Sequence, residues 1–166
     1  MRLNADGLLT RSDEDFMRMA LRQAEIAYEH GEVPIGAVAV YKNTIIAKAY
    51  NQVEMLKDAT AHAEILVITQ AANYLGDWRL DEVTIYVTKE PCAMCAGAMV
   101  NARVGRVVFG LPDPRSGGCG GALNIIGHPG MLHRLPATKG VLEDACREIL
   151  QQFFRERRAQ GSSSSG

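Results

Sequence analysis

The sequence predicts an α/β fold, one sheet of mixed strand direction with helices packed on both of its faces. Three features carry that expectation. Apolar residues first recur at helical spacing, a strand–turn–strand pattern follows, and beyond residue 60 helix-like and strand-like segments alternate. The 166 residues suffice for one domain, expected over 1–160, with 161–166 as a flexible tail.

Taken in order, the first ten residues read as a loose arm. Ser12 with Asp15 forms a capping-box pattern, and Phe16, Ala20, Ala24, Ala27 and Tyr28 mark one face of a first helix. Gly31 and Pro34 stop it. Residues 35–41 are small and β-branched, and Lys42-Asn43 turns them into 44–50 as a hairpin. Residues 51–59 read as a polar loop. A second helix is expected over 61–74, capped by Thr60 and ended by Gly76. The run 83–88 is continuously apolar, as in a strand buried on both faces. Pro91 opens a third helix ending near Asn101, since proline is tolerated in a first turn. Residues 104–110 read as the next strand, and the Gly- and Pro-rich 111–121 as a long loop. A last helix over 141–158 aligns Leu142, Cys146, Ile149 and Phe153.

Composition narrows the function classes. A hydrophobic share of 47% and a charged share of 22% are ordinary for a globular chain. The net charge of -1 excludes coating of nucleic acid by bulk positive charge, and leaves room for a local basic patch. The N-terminus lacks the apolar run of a secretory signal, and no apolar stretch approaches the ~18 residues of a membrane span. A cytoplasmic protein is expected. Its four cysteines then do not read as a disulfide framework, and the close pair Cys92 and Cys95 reads as metal ligands or a redox motif.

The surroundings decide between those readings. Thr60-Ala61-His62-Ala63-Glu64 is followed about thirty residues on by Glu90-Pro91-Cys92-Ala93-Met94-Cys95, giving H-x-E and then P-C-x-x-C. One imidazole and two thiolates suit zinc. Three protein ligands leave a fourth tetrahedral position for water, the mark of a catalytic site. At a helix N-terminus the dipole and free N–H groups favour the thiolate form that zinc requires. Zinc lowers the pKa of water from 15.7 to about 7, on the order of 12 kcal/mol at 1.36 kcal/mol per unit. Glu64 remains as the base that moves protons. Residues two apart do not share a helix face, so His62 and Glu64 must sit at the helix's open end. A redox role would leave both without a function.

These segments resemble the zinc deaminases that act on nucleobases. Across nearly the whole chain, the sequence is similar to the bacterial tRNA adenosine deaminases, which make inosine at the anticodon wobble position. The similarity runs through EVPIGAVAV at 32–40, TAHAE at 60–64 and YVTKEPCAMCAGAMVNARVGRVVFG at 86–110, then HPGMLHR at 128–134 and FFRERR at 153–158. It implies a cytidine-deaminase-like three-layer α/β/α sandwich with a central mixed five-stranded sheet, a homodimer, and one Zn2+ per subunit held by His62, Cys92 and Cys95. By the same resemblance, Ala63 offers its backbone N–H and Asn51 its side-chain amide to the flipped base. Pro34, Ile35 and Glu90 wall the pocket, and Asp113 contacts a sugar or neighbouring nucleotide. The family commonly has proline where Ala59 stands here, which implies a less rigid loop.

A tRNA anticodon stem-loop is gripped by stacking and phosphate contacts. Phe153 lies in the core stripe and reads as packing, whereas Phe154 lies off it and is open to packing or RNA contact. Arg155 and Arg157, with Arg158, suit the helix dipole by default, and the resemblance tilts them toward phosphate. His30 reads as a capping or surface residue, Cys119 as a loop thiol, Cys146 as core, and His128 and His133 as non-ligands. A free-base or nucleoside deaminase of guanine or cytosine type, and a zinc-stapled module without catalysis, are the alternatives.

Overall fold

The computed structural model describes residues 2, 3, 5 and 9–164. Within the first ten residues, β1 (Arg2–Leu3) pairs antiparallel with β2 (Leu9–Thr10), correcting the expectation of a loose arm. Two-residue strands are too short to leave a periodic signal in sequence.

Helix α1 (Asp13–Glu29) begins at the predicted capping box, with reciprocal bonds between Ser12 and Asp15, and ends at His30. Strands β3 (Gly36–Tyr41) and β4 (Thr44–Tyr50) form the predicted hairpin. Lys42 and Asn43 both have positive φ, 49° and 61°, the geometry of a two-residue turn that matches strand twist. One turn of helix, α2 (Val53–Leu56), interrupts the expected loop, because buried Glu32 accepts from the amides of Glu54 and Met55.

Helix α3 (Ala63–Leu75) starts later than expected. The predicted cap, Thr60, instead donates its hydroxyl to Asp58, and His62 occupies the cap position without spending its side chain there. Gly76 ends the helix with φ 66° as expected. Strand β5 (Val83–Lys89) leads to α4 (Ala93–Asn101), whose cap position is Cys92, so Pro91 stands one residue before the helix and not inside its first turn. Strand β6 (Arg106–Leu111) starts two residues late, since the Val104 and Gly105 amides bond back to Met99, Leu80 and Val83. A three-residue edge strand, β7 (Ala137–Lys139), completes the sheet. The last helix, α5 (Glu143–Ser164), begins after Leu142, which has φ 53°. Its buried stripe is Cys146, Leu150 and Phe153, with Ile149 only partly covered.

The strand order is β4-β3-β5-β6-β7, antiparallel up to β5 and parallel beyond it. Alternation along the strands builds two cores. Ala37, Ala39, Ile85, Val87, Val107 and Phe109 face α3 and α4, while Val38, Val40, Tyr86 and Val108 face α1 and α5. This is the three-layer sandwich. At Gly36 a Cβ would collide with the backbone of α1 at Ala20 and Ala24, so helix and sheet approach closely beside the pocket.

Candidate active site

Parallel strands β5 and β6 end on the same edge, and ligand sites in such sheets lie beyond the carboxyl ends of the strands. Here the chain places a cavity of about 510 Å3, within the range of small-molecule pockets. Its wall includes Ile35, Asn51, His62, Ala63, Glu64, Glu90, Cys92, Asp113, Phe154 and Arg157.

The H-x-E and P-C-x-x-C segments meet because two helices begin there. His62 caps α3, Cys92 caps α4, and Cys95 lies in the first turn of α4. His62 Nδ1 lies 3.7 Å from Cys92 Sγ and 3.5 Å from Cys95 Sγ, and all three ligand atoms fall within 4.8 Å of one another. Tetrahedral zinc with its usual bond lengths separates N and S ligands by about 3.6 Å. Among the described residues, this trio is the one His/Cys/Asp/Glu group spaced to hold a metal.

Electrostatics fit the same reading. Hydrogen bonds from Cys95 and His62 bring Cys92 down to about 3, whereas the bond to Cys92 and then burial push Cys95 up. His62 is raised, chiefly by its bond to Cys92. Glu64 is only 4% exposed and its pKa is raised by burial, so it lies well placed to hold a proton. It is the second residue of α3, which gives the open-end placement the spacing required.

Other predicted residues occupy definite places. Asn51 donates Nδ2 to the Val33 carbonyl at 3.2 Å, while its buried Oδ1 has no partner. Ala63 is the first residue of α3, where an amide has no intrahelical acceptor. Burial alone would raise Asp113, yet the Ser116 hydroxyl, the Arg115 and Ser116 amides and Lys89 hold its carboxyl well below the usual range. Arg157 stacks on Phe153 with 4.8 Å to the ring centroid and donates to the Gly31 carbonyl, tying α5 to the end of α1 at the rim.

Two expected residues stand outside this wall. Pro34 is buried between Val33 and Ile35 and does not line the cavity. Arg155 lines a second depression with Arg115, Arg147 and Arg158, and the two depressions share Phe154, which is 44% exposed. Sequence reading missed Glu32, Lys89, Arg115 and Ser116 here. Their roles depend on partners 2 to 24 positions away that the sequence alone does not pair with them. His128 and His133 bond Gly130 and Val104 and take no part in the metal group. Burial pushes the Cys119 and Cys146 thiols up to about 12, so neither is activated.

A profile of the MafB19-like deaminases matches residues 11–158. A tRNA-specific adenosine deaminase of Bacillus subtilis is 50% identical over 147 residues, 88% of this chain and 91% of that one. A solved structure from studies of A-to-I editing by tRNA:A34 deaminases at the wobble position superposes with TM-score 0.79 at 42% identity, covering 81% of this chain and 98% of that one. The guanine deaminase of Bacillus subtilis is more distant, with TM-score 0.57 and 38% identity over 60% of this chain and 64% of that one. On these matches and this site, the chain belongs to the tRNA-specific adenosine deaminase family of MafB19-like deaminases.

Proposed function

We propose that this protein converts adenosine to inosine at the wobble position of a tRNA anticodon, releasing ammonia, with one Zn2+ per subunit held by His62, Cys92 and Cys95. The observation that carries this reading is the buried Glu64 carboxyl set beside the His/Cys/Cys trio in one cavity. Bound zinc supplies the Lewis acidity that makes water a nucleophile near neutral pH, its pKa falling to about 7. Glu64 takes a proton from the attacking water and passes it to the ring nitrogen N1, then takes the second proton from the new C6 hydroxyl and delivers it to the departing amino group. Water adds at C6 and the C6–N6 bond breaks, so adenosine and water become inosine and ammonia.

The remaining residues bind and orient. The free Oδ1 of Asn51 accepts from the base, the Ala63 amide donates to it, and Ile35 packs against its face. Asp113, fixed by its bonds to Ser116, receives a sugar hydroxyl at the rim. The RNA strand leaves the pocket across Phe154 toward Arg155, with Arg157 at the mouth. This reading takes the protein to be a cytoplasmic homodimer. Among the described residues, no helix is long and apolar enough to cross a membrane.

The test is incubation with unmodified tRNA, followed by a search for inosine at the wobble position, with free adenosine, cytidine and guanine in parallel. Inosine in the tRNA with the free compounds unchanged is expected. Turnover of free guanine without tRNA editing would move the function to the guanine deaminases.

A further inference from the structure

Glu90 follows β5 and stands two residues before Cys92. It is 4% exposed, and its carboxylate is spent on one partner, the 111–121 loop. Oε1 accepts from the Asp113 amide at 2.9 Å, and Oε2 from the amides of Cys119 at 3.0 Å and Gly121 at 2.9 Å. A Cβ on Gly117 or Gly121 would strike this carboxylate, so the glycines let the loop close around it. The closed loop in turn abuts the metal group. Gly117 forms a backbone bridge with Cys92, and the Gly118 amide donates to the Pro91 carbonyl at 2.7 Å.

We infer that Glu90 is a positioning residue for the metal centre: its carboxylate folds the 111–121 loop against the backbone of Cys92 and thereby holds that ligand in place. The inference rests on the zinc reading above. It gives Glu90 work beyond walling the cavity, and explains a buried anion whose described hydrogen bonds all come from backbone amides. Three charge-assisted bonds converge on it, each stronger than a neutral one. Without them the centre of the loop is held to this segment by the backbone bonds at Gly117 and Gly118, and the neighbour that limits the movement of Cys92 is itself less firmly fixed.

The test compares zinc-loaded parent, Glu90→Gln and Glu90→Ala. Gln keeps the size of the side chain and one acceptor oxygen, and so preserves folding if Ala does not. Zinc transfer to a chromogenic chelator should speed up about tenfold or more in both, the usual scale for groups that support metal ligands. Amide hydrogen exchange should rise at Cys119 and Gly121. Asp13→Asn, a substitution at the far end of the sheet, should leave both readouts at parent values. Release and loop exchange within twofold of the parent would overturn the inference. So would equal acceleration in Asp13→Asn, which would mean general loosening. A parent that takes up no zinc defeats the zinc reading instead, and loop exchange then still decides whether Glu90 holds the loop.

Discussion

The two ends of the parallel strands β5 and β6 treat their polar groups in opposite ways. At the amino end, Asp13 accepts from Arg106 at 2.7 and 3.1 Å and from the Tyr86 hydroxyl at 2.7 Å, and Arg106 also donates to Thr138 at 2.9 Å. Every group in that network finds a partner within the fold. At the carboxyl end, the Glu64 carboxyl is buried, the Asn51 oxygen has no partner, and three soft ligand atoms face one another. A fold that satisfies its polar groups at one end and leaves capacity at the other has spent the first on stability and kept the second for a ligand.

Breaking either end should therefore have different consequences. The largest effect is expected from His62→Ala or Cys92→Ala, which should abolish both bound zinc by elemental analysis and inosine formation. Retained zinc would remove that residue from the ligand set. Next comes the rim. With about four phosphate contacts, RNA affinity should fall with salt at a log–log slope near -3. Arg155→Ala together with Arg157→Ala should make the slope shallower by about 1.4 at 0.7 per single-strand contact. An unchanged slope would take both out of the RNA path. Arg155→Ala alone should leave stability unaltered, because only Arg157 ties α5 to Gly31.

The smallest effect belongs to the amino end. Asp13→Asn should cost about 1 kcal/mol, since solvent screens a pair that is one-third exposed, and lower Tm by about 2–4 °C with turnover unchanged. The hydrogen bond from Arg106 holds Asp13 below its ordinary 3.8. A depressed carboxylate contributes stability above the ordinary value and loses it as pH falls through the lowered one. The gap between parent and variant should thus be full at pH 7 and close in acid. A gap as large in strong acid as at pH 7 would place the stabilisation elsewhere.

What could be read in the sequence follows the same division. The capping box at Ser12, the hairpin turn at Lys42 and Asn43 and the Gly76 stop are local signals, and each gives its element a correct boundary. The grouping of His62, Cys92 and Cys95 was legible too, because the spacing within each segment is fixed by one helix start. Thr60 misled because Asp58 competes for its hydroxyl, and α2 was hidden because its capping carboxylate, Glu32, lies over twenty residues upstream. Strand β7 carries no pattern in three residues, two of them exposed. At the rim, periodicity placed Phe153 in the core and Phe154 off it, but could not separate Arg155 from Arg157. They differ in which depression each reaches and in the partners, Phe153 and Gly31, that Arg157 finds there.

The central claim is that Glu64 moves protons and does not hold the metal. Glu64→Ala should retain one zinc per chain and the parent's Tm to within a few degrees while inosine formation falls about 10³-fold or more. Zinc-loaded Glu64→Ala protein that edits tRNA at the parent's rate would contradict the account.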